Sequence, residues 1–380
     1  MSNDYAKISD DMVEKSRSRI GEIYIPKEPY HNWTASSDTI RHFARGLGDP
    51  NPLWTDAEYA RKTGYGCIVA PPCFLYSVFW PDAKGACFPG IHGWHAGNDW
   101  QFYKPIMVDD SFTVTDTITD LVEKTKSKMA KRTFIGYCKT TYTNQRGEIV
   151  ATASGWNVFA ERDAAKKSAK YSEIRQHAYT VKDLKKIEED YDREEIRGAN
   201  PRYWEDVEAG EELMPVVKGP LTTADIICWL MGAGSPYLKA HKFALNYRRR
   251  HPQIAMKGGE VAETVHFDDG TAKDVGVQYS YDYGSQRISW LGHLLTNWIG
   301  DDGFLKRLYA KLVGFNLVTH TTWCKGRVTN KGEEDGEPVV YCEIWCENQS
   351  GQKTAVGNAT VVLPSKEKDF WPLAGRGISK

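Results

Sequence analysis

The chain has 380 residues, 41% of them hydrophobic and 26% charged, with a formal net charge of −1. The length exceeds one ordinary core and points to two domains. The near-zero charge excludes the electrostatic footprint of a nucleic-acid or membrane-surface binder, and no apolar run approaches the ~18 residues of a membrane span.

The first residues, MSNDYAKISDDMVEK, are polar and lack the apolar stretch of a signal peptide. Eight Cys are scattered with no CxxC pair and no Cys/His zinc spacing. A reduced, soluble, cytoplasmic protein without a metal is therefore expected, with Cys342 and Cys346 as packing residues on one strand face. The 13 Trp point to large apolar clefts or interfaces.

Residues 46–66, GLGDPNPLWTDAEYARKTGYG, combine turn chemistry with a carboxylate, Asp49, two residues ahead of Asn51. Asp49 reads either as a turn and capping residue or as a reactive group. Next, APPCFLYSVFW predicts a buried helix within 68–83. GIHGWHAGNDW follows, and its His92 and His95 are three apart, a spacing compatible with metal ligation but more in keeping with a strand start. Four alternating segments then predict strands: DWQFYKPI, SFTVTDTITDLVEKT, RTFIGYCKTTYT and IVATASGWNVF. Residues 161–201 are dense in charge and lack a broad apolar stripe, as expected of a solvated helix or linker.

The second half repeats the first. Trp54, Asp56, Ala60 and Gly64 have the same spacing as His266, Asp268, Ala272 and Gly276. Gly48 and Asp49 align with Gly234 and Ser235, so about two dozen extra residues lie before His266. The hairpin around Asn144, Gln145, Gly147 and Ala151 matches Asn348, Gln349, Gly351 and Ala355. SQRISWLGHLLTNWIG carries one apolar stripe and predicts a helix over 284–300. TTWCKGRVT, PVVYCEIWCEN and TAVGNATVVL follow as strands. The layout is α+β: two copies of one helix wrapped by an antiparallel sheet, their sheets joined edge to edge. The copies span 1–160 and 202–365, with a tail at 366–380. The basic cluster Arg248–Arg250 reads as a solvated face; a phosphate contact, the lesser reading, makes Arg248 a candidate substrate contact.

GDPNPLWTDAEYARKTGYG with IVAPPCFL resembles the signature of MaoC-like hotdog hydratases: Gly-Asp-x-Asn-Pro-[Leu/Ile]-His, a short helix, then Ala-His-Gly opening a long central helix. RYWEDVEAGEEL resembles the start of a hotdog domain in the same family, and YDYGSQRISWLGHLLTNWIGDDGF resembles the central helix of its C-terminal copy. The resemblance implies a double hotdog with an N-terminal dehydratase-like copy and a C-terminal MaoC-like copy. It further implies that Asp and His hold one water, while an N–H at the helix start binds the thioester oxygen.

Carried over residue by residue, that signature is broken in both copies. Asp49 and Asn51 match in copy one, but Trp54 stands in the His place and Pro72, which has no N–H, in the helix-opening place. Copy two has His266 and, 18 residues on, Gly284, the separation of Trp54 and Pro72. Ser235 and Tyr237 replace the Asp and Asn, with Glu263, Asp268 and Asp269 as the nearest substitute acids. The candidate catalytic set is thus His266, Asp49, Asn51 and Gly284. The candidate substrate contacts are Trp54, Tyr283, Ser235, Tyr237 and Arg248.

The activity so implied is reversible hydration of an enoyl-CoA-type thioester, or dehydration of its 3-hydroxyacyl partner, with coenzyme A as part of the substrate and no separate cofactor. One copy would be active and the other reshaped around a bulky acyl chain. A homodimer or higher homo-oligomer is expected. Two other classes stay open. A hotdog thioesterase commonly carries an acid on its central helix, and 284–300 has none. A non-catalytic acyl-thioester binder or assembly subunit fits the broken signatures.

Overall fold

The computed structural model describes residues 6–83, 86, 88–124, 132–161, 173–250 and 261–378. Their organising element is one antiparallel sheet of ten strands, ordered β1-β5-β6-β7-β3-β9-β12-β11-β10-β8. The first half supplies β1 (Ile23–Tyr24), β3 (His92–Phe102), β5 (Phe112–Glu123), β6 (Thr133–Asn144) and β7 (Ile149–Ala160). The second supplies β8 (Glu212–Lys218), β9 (Phe304–Leu312), β10 (Thr322–Glu334), β11 (Glu337–Asn348) and β12 (Lys353–Val362). A two-stranded ribbon of β2 (Val69–Ala70) and β4 (Ile106–Met107) stands apart. The order of the large sheet reads the same from either edge, with β3 matching β9, β7 matching β12, and so outward. The two copies therefore form a double hotdog, and they do join edge to edge. The seam pairs Gly97 with Lys311 and Asp99 with Tyr309, and Arg307 clamps Asp99 through two hydrogen bonds of 2.8 and 2.7 Å.

Two capped helices, one from each copy, pack closely against each other. Ser36 caps α1 (Ser37–Leu47), which Gly48 ends in a left-handed conformation. Thr222 and Asp225 form a reciprocal capping box on α2 (Thr223–Ala233). Gly46 and Gly232 let the backbones touch: a Cβ on Gly46 would lie 2.4 Å from the Cys228 carbonyl oxygen, and one on Gly232 would lie 2.6 Å from that of His42.

The central helix of copy two, α3 (Gly284–Ile299), matches the predicted span, and every residue after Gly284 is buried. Copy one differs from expectation. Residues 68–83 hold no α-helix; β2 leads into a single 3-10 segment, Pro72–Ser77. Pro81 accounts for much of this. Its ring would strike the carbonyl of residue 77 in a helix, and it offers no N–H. The β-branched and aromatic run between adds little helix propensity. The seam strand β9, FLKRLYAKL, was also absent from the sequence reading, because its charges fall irregularly and mask the alternation. No helix among the described residues is long and apolar enough to cross a membrane.

Candidate active site

The two copies diverge most where their sites should be equivalent. In copy one the loop after Gly48 is closed upon itself. Asp49 Oδ1 accepts from the Asn51 amide at 3.1 Å, Asn51 Oδ1 accepts from the Leu53 amide at 3.0 Å, and Asp49 Oδ2 accepts from Trp54 Nε1 at 2.9 Å. Lys218 on β8 reaches in from the other copy. Its Nζ donates to the carbonyls of Leu47 and Gly48 and to His293 Nδ1, at 3.0, 2.7 and 3.0 Å. An ammonium has no lone pair, so His293 Nδ1 is the acceptor and Nε2 carries the proton, 3.4 Å from Asp49 Oδ1. Burial pushes the Asp49 carboxyl up to about 6, against the Asn51, Lys218 and Trp54 contacts that lower it. Burial, then the Lys218 charge, holds His293 well below the usual imidazole range.

Beside this network lies a cavity of only about 50 Å³, lined by Asn51, Trp54 and Pro72 and closed by Thr296 and Ile299 of α3. That is room for one or two waters and no acyl group. Asp49 and Asn51, expected among the catalytic residues, thus hold the loop and tie the copies together. They are not on the cavity that His266 lines, and the Trp54 indole is buried against Asp49.

In copy two the equivalent place is open. A cavity of about 1040 Å³ is bordered by His266, Tyr283 and Gly284 from the second half and by Trp80, His95 and Trp156 from the first. It continues to Asp116 and Ile118 on β5, three strands from β3 and so about 14 Å across the sheet. The chain that might have continued as a helix after Ser77 turns away here, and Phe79, Trp80 and Pro81 become wall.

His266 ends a 3-10 turn, Ala262–His266. Its Nδ1–H donates to the Tyr281 carbonyl at 2.8 Å, which leaves the lone pair on Nε2. The half-buried ring stacks on Tyr283 with centroids 3.7 Å apart. Burial pulls its pKa down to about 4, against backbone contacts from Tyr281 and Asp282 that raise it. It is therefore a neutral base throughout the physiological range.

Glu263, one helical turn before His266, is the acid the insertion delivers to this wall. Ser235 Oγ donates to Glu263 Oε2 and accepts the amides of Tyr237 and Leu238, each at 3.0 Å. The residue in the Asp place thus holds a carboxylate that arrives from elsewhere in the chain. Burial, and then the Glu263 charge, push the Tyr283 phenol well up. The other two candidate acids are structural. Asp268 caps the short helix Asp269–Asp274, and Asp269 accepts from the amide and hydroxyl of Ser280.

Gly284 opens α3 towards the cavity, where the first-turn N–H groups and the helix dipole favour a developing negative oxygen. Arg287 anchors this end in a buried pair with Asp282, and it donates to the carbonyls of Gly314 and Thr354 at 2.7 and 2.9 Å. Of the candidate substrate contacts, Tyr237 is on the cavity wall; Arg248 is not, although its neighbour Tyr247 is. His95, which the sequence places at a strand start, also borders the cavity. Among the described residues no group of three or more His, Cys, Asp or Glu is placed to hold a metal ion.

Comparison with known proteins agrees with the fold. A family profile for the FAS1-like, dehydratase domain region matches residues 29–153. A UPF0336 protein of Streptomyces avermitilis is 32% identical over 111 residues, covering 28% of this chain and 72% of that protein. A probable enoyl-CoA hydratase alpha subunit of Thermomonospora curvata is 27% identical over 133 residues, 30% of this chain and 41% of that one. A solved MaoC-like dehydratase, 18% identical, superimposes with a TM-score of 0.65 over 92% of this chain and 100% of its own.

Proposed function

Because the chain belongs to the MaoC-like double-hotdog family, with an N-terminal half of the FAS1-like dehydratase-region type, we propose that its C-terminal copy hydrates a 2-enoyl-CoA thioester and dehydrates the 3-hydroxyacyl-CoA in reverse. The N-terminal copy gives up its own site and walls a space for a bulky acyl group. The observation that carries this reading is that one cavity is lined together by His266, Glu263 and Gly284, the residue that opens α3.

The roles follow from these positions. The thioester oxygen rests on the Gly284 N–H, where charge develops as the double bond is attacked. His266 and Glu263 hold the water that adds to the β-carbon, and the neutral imidazole can take its proton. Tyr283 keeps the His266 ring in plane, and Tyr237 borders the route in. The cavity volume exceeds what a short chain needs and sits at the upper end of ordinary ligand sites.

The test is hydration of crotonyl-, octenoyl- and cinnamoyl-CoA, followed as loss of enoyl absorbance. Turnover that is faster for the bulkier acyl groups supports the reading. Thiol release without hydration would make the protein a thioesterase. Binding without either reaction would leave it an acyl-thioester carrier.

A further inference from the structure

Taking the hydratase reading as its basis, we propose that His95, from the N-terminal copy, is a second proton-carrying catalytic residue of the C-terminal site, exchanging the proton of the substrate α-carbon.

Three observations place it there. The first is position. A Cβ on Gly284 would lie 2.6 Å from His95 Nδ1 and 2.4 Å from Leu312 Cδ1, so the imidazole lies directly over the residue that opens α3. Only glycine permits that approach. The His266 ring stacks on Tyr283, one residue earlier. Two imidazoles from opposite copies thus flank the same helix start, and both border the large cavity.

The second is orientation. The pairing of β3 with β7 slips between His95 and Gly97, a bulge that turns His95 out of the regular pleat. Gly97 is part of the device: a Cβ there would lie 2.2 Å from the Trp156 ring and 2.5 Å from the Ala310 carbonyl oxygen.

The third is tautomer. Asn98 Nδ2 donates to the carbonyls of Pro81 and Ser154, at 2.7 and 3.3 Å, which fixes its Oδ1 as the acceptor end. Tyr76 Oη–H donates to that Oδ1 at 2.7 Å, and Trp100 Nε1 backs the phenol at 3.1 Å. His95 Nε2 sits 2.7 Å from the same Oδ1 and must therefore carry a proton. In the neutral ring the basic nitrogen is then Nδ1, the atom over Gly284.

A thioester oxygen bound at the Gly284 N–H places the α-carbon two bonds away, beside that nitrogen. In dehydration Nδ1 takes the α-hydrogen as a proton, so an N–H bond forms as the Cα–H bond breaks. The electron pair becomes the Cα=Cβ bond, and the β-carbon–oxygen bond breaks. The leaving hydroxide takes the proton that His266 Nε2 carries in this direction and departs as the water held by His266 and Glu263. His95 then passes the α-proton through that water to His266, and the site ends as it began. Hydration is the reverse.

The experiment compares the full-length protein with His95→Gln and His266→Gln on a 3-hydroxyoctanoyl-CoA substrate carrying hydrogen or deuterium at the α-carbon. His95→Gln should lower kcat by ~10²–10⁴-fold with KM within about threefold, and it should raise the α-deuterium isotope effect. His266→Gln should lower kcat without raising that effect. Added imidazole should partly restore His95→Ala and leave His266→Gln unchanged. A His95→Gln variant with wild-type kcat would overturn the proposal and leave the hydratase reading standing. So would one whose loss of rate comes with an unchanged isotope effect and no response of His95→Ala to imidazole. A wild-type protein that turns over no enoyl- or 3-hydroxyacyl-CoA would sink both.

Discussion

Trp54 Nε1 donates to Asp49 Oδ2 across 2.9 Å, with the indole in the position that His266 fills in the other copy. This contact converts a candidate acid–base pair into a buried strut. Asp49→Asn should therefore change kcat/KM by less than tenfold, about 1.4 kcal/mol in barrier. The same variant should alter the pH dependence of stability. The folded carboxyl binds its proton more tightly than the unfolded one, near 6 against the ordinary 3.8. Its contribution is full below about pH 4 and is lost as pH rises through 6, a difference of about 3 kcal/mol. Urea unfolding of the wild type and Asp49→Asn at pH 4 and pH 7 should show the wild type losing about that much stability relative to the variant between the two pH values, since other titrating groups, His266 among them, cancel in the comparison. A loss of activity beyond tenfold with stability intact would make Asp49 catalytic after all.

His266 should stay unprotonated far below the usual imidazole range. Its folded pKa near 4 lies under the unfolded value of about 6.5, so its contribution to stability is complete above 6.5 and fades as pH falls through 4. An NMR titration of the ring carbon and nitrogen resonances should show no protonation down to pH 5. His266→Gln should lower kcat/KM by ~10²–10⁴-fold with little change in melting temperature, since the ring is only half-buried. A midpoint near 6.5 would count against the neutral-base role.

Glu263 and Ser235 form one hydrogen-bonded unit, and on the proposed function graded losses are expected from them. Glu263→Gln removes the charge and should cost roughly 10²-fold in kcat. Ser235→Ala deletes one hydrogen bond to a charged group, roughly 1.5–3 kcal/mol, or about ten- to a hundredfold. Together they should cost little more than Glu263→Gln alone, because the hydroxyl acts through the carboxylate. Fully additive losses would separate the two.

The close packing of α1 and α2 makes a stability prediction independent of chemistry. Gly46→Ala and Gly232→Ala each press a methyl group against rigid backbone and should cost about 1–3 kcal/mol, despite alanine's better helix propensity. Gly375→Ala, with nothing within 4 Å of the added carbon, serves as the neutral control. Equal unfolding midpoints for all three would show that the helices can slide apart.

Much of this was legible before any coordinates. The 18-residue interval from His266 to Gly284 survived divergence of the copies, and the structure puts both residues on one cavity. The turn chemistry around Gly48 and the apolar stripe of α3 likewise gave true local structure. What escaped was whatever depends on distant chain segments meeting. Lys218 and His293 close on Asp49 from the other copy, and nothing near Asp49 announces them. His95 and Gly284 are 189 residues apart and meet only because β3 and β9 form the seam. The failed helix at 68–83 has a different origin: an apolar run satisfies a helical pattern as readily as a cavity wall, and Pro81 was the signal left unweighed.

The large cavity draws the groups proposed to react from the second half, apart from His95, and most of its depth from the first. On the proposed function, catalytic competence and substrate range therefore reside in different parts of one polypeptide. Substitutions around Phe79, Trp80 or Ile118 can lengthen, shorten or reshape what is accepted without touching the atoms that move protons. On that reading a duplicated fold becomes a tool with an exchangeable gauge, one copy setting its span and the other carrying its chemistry.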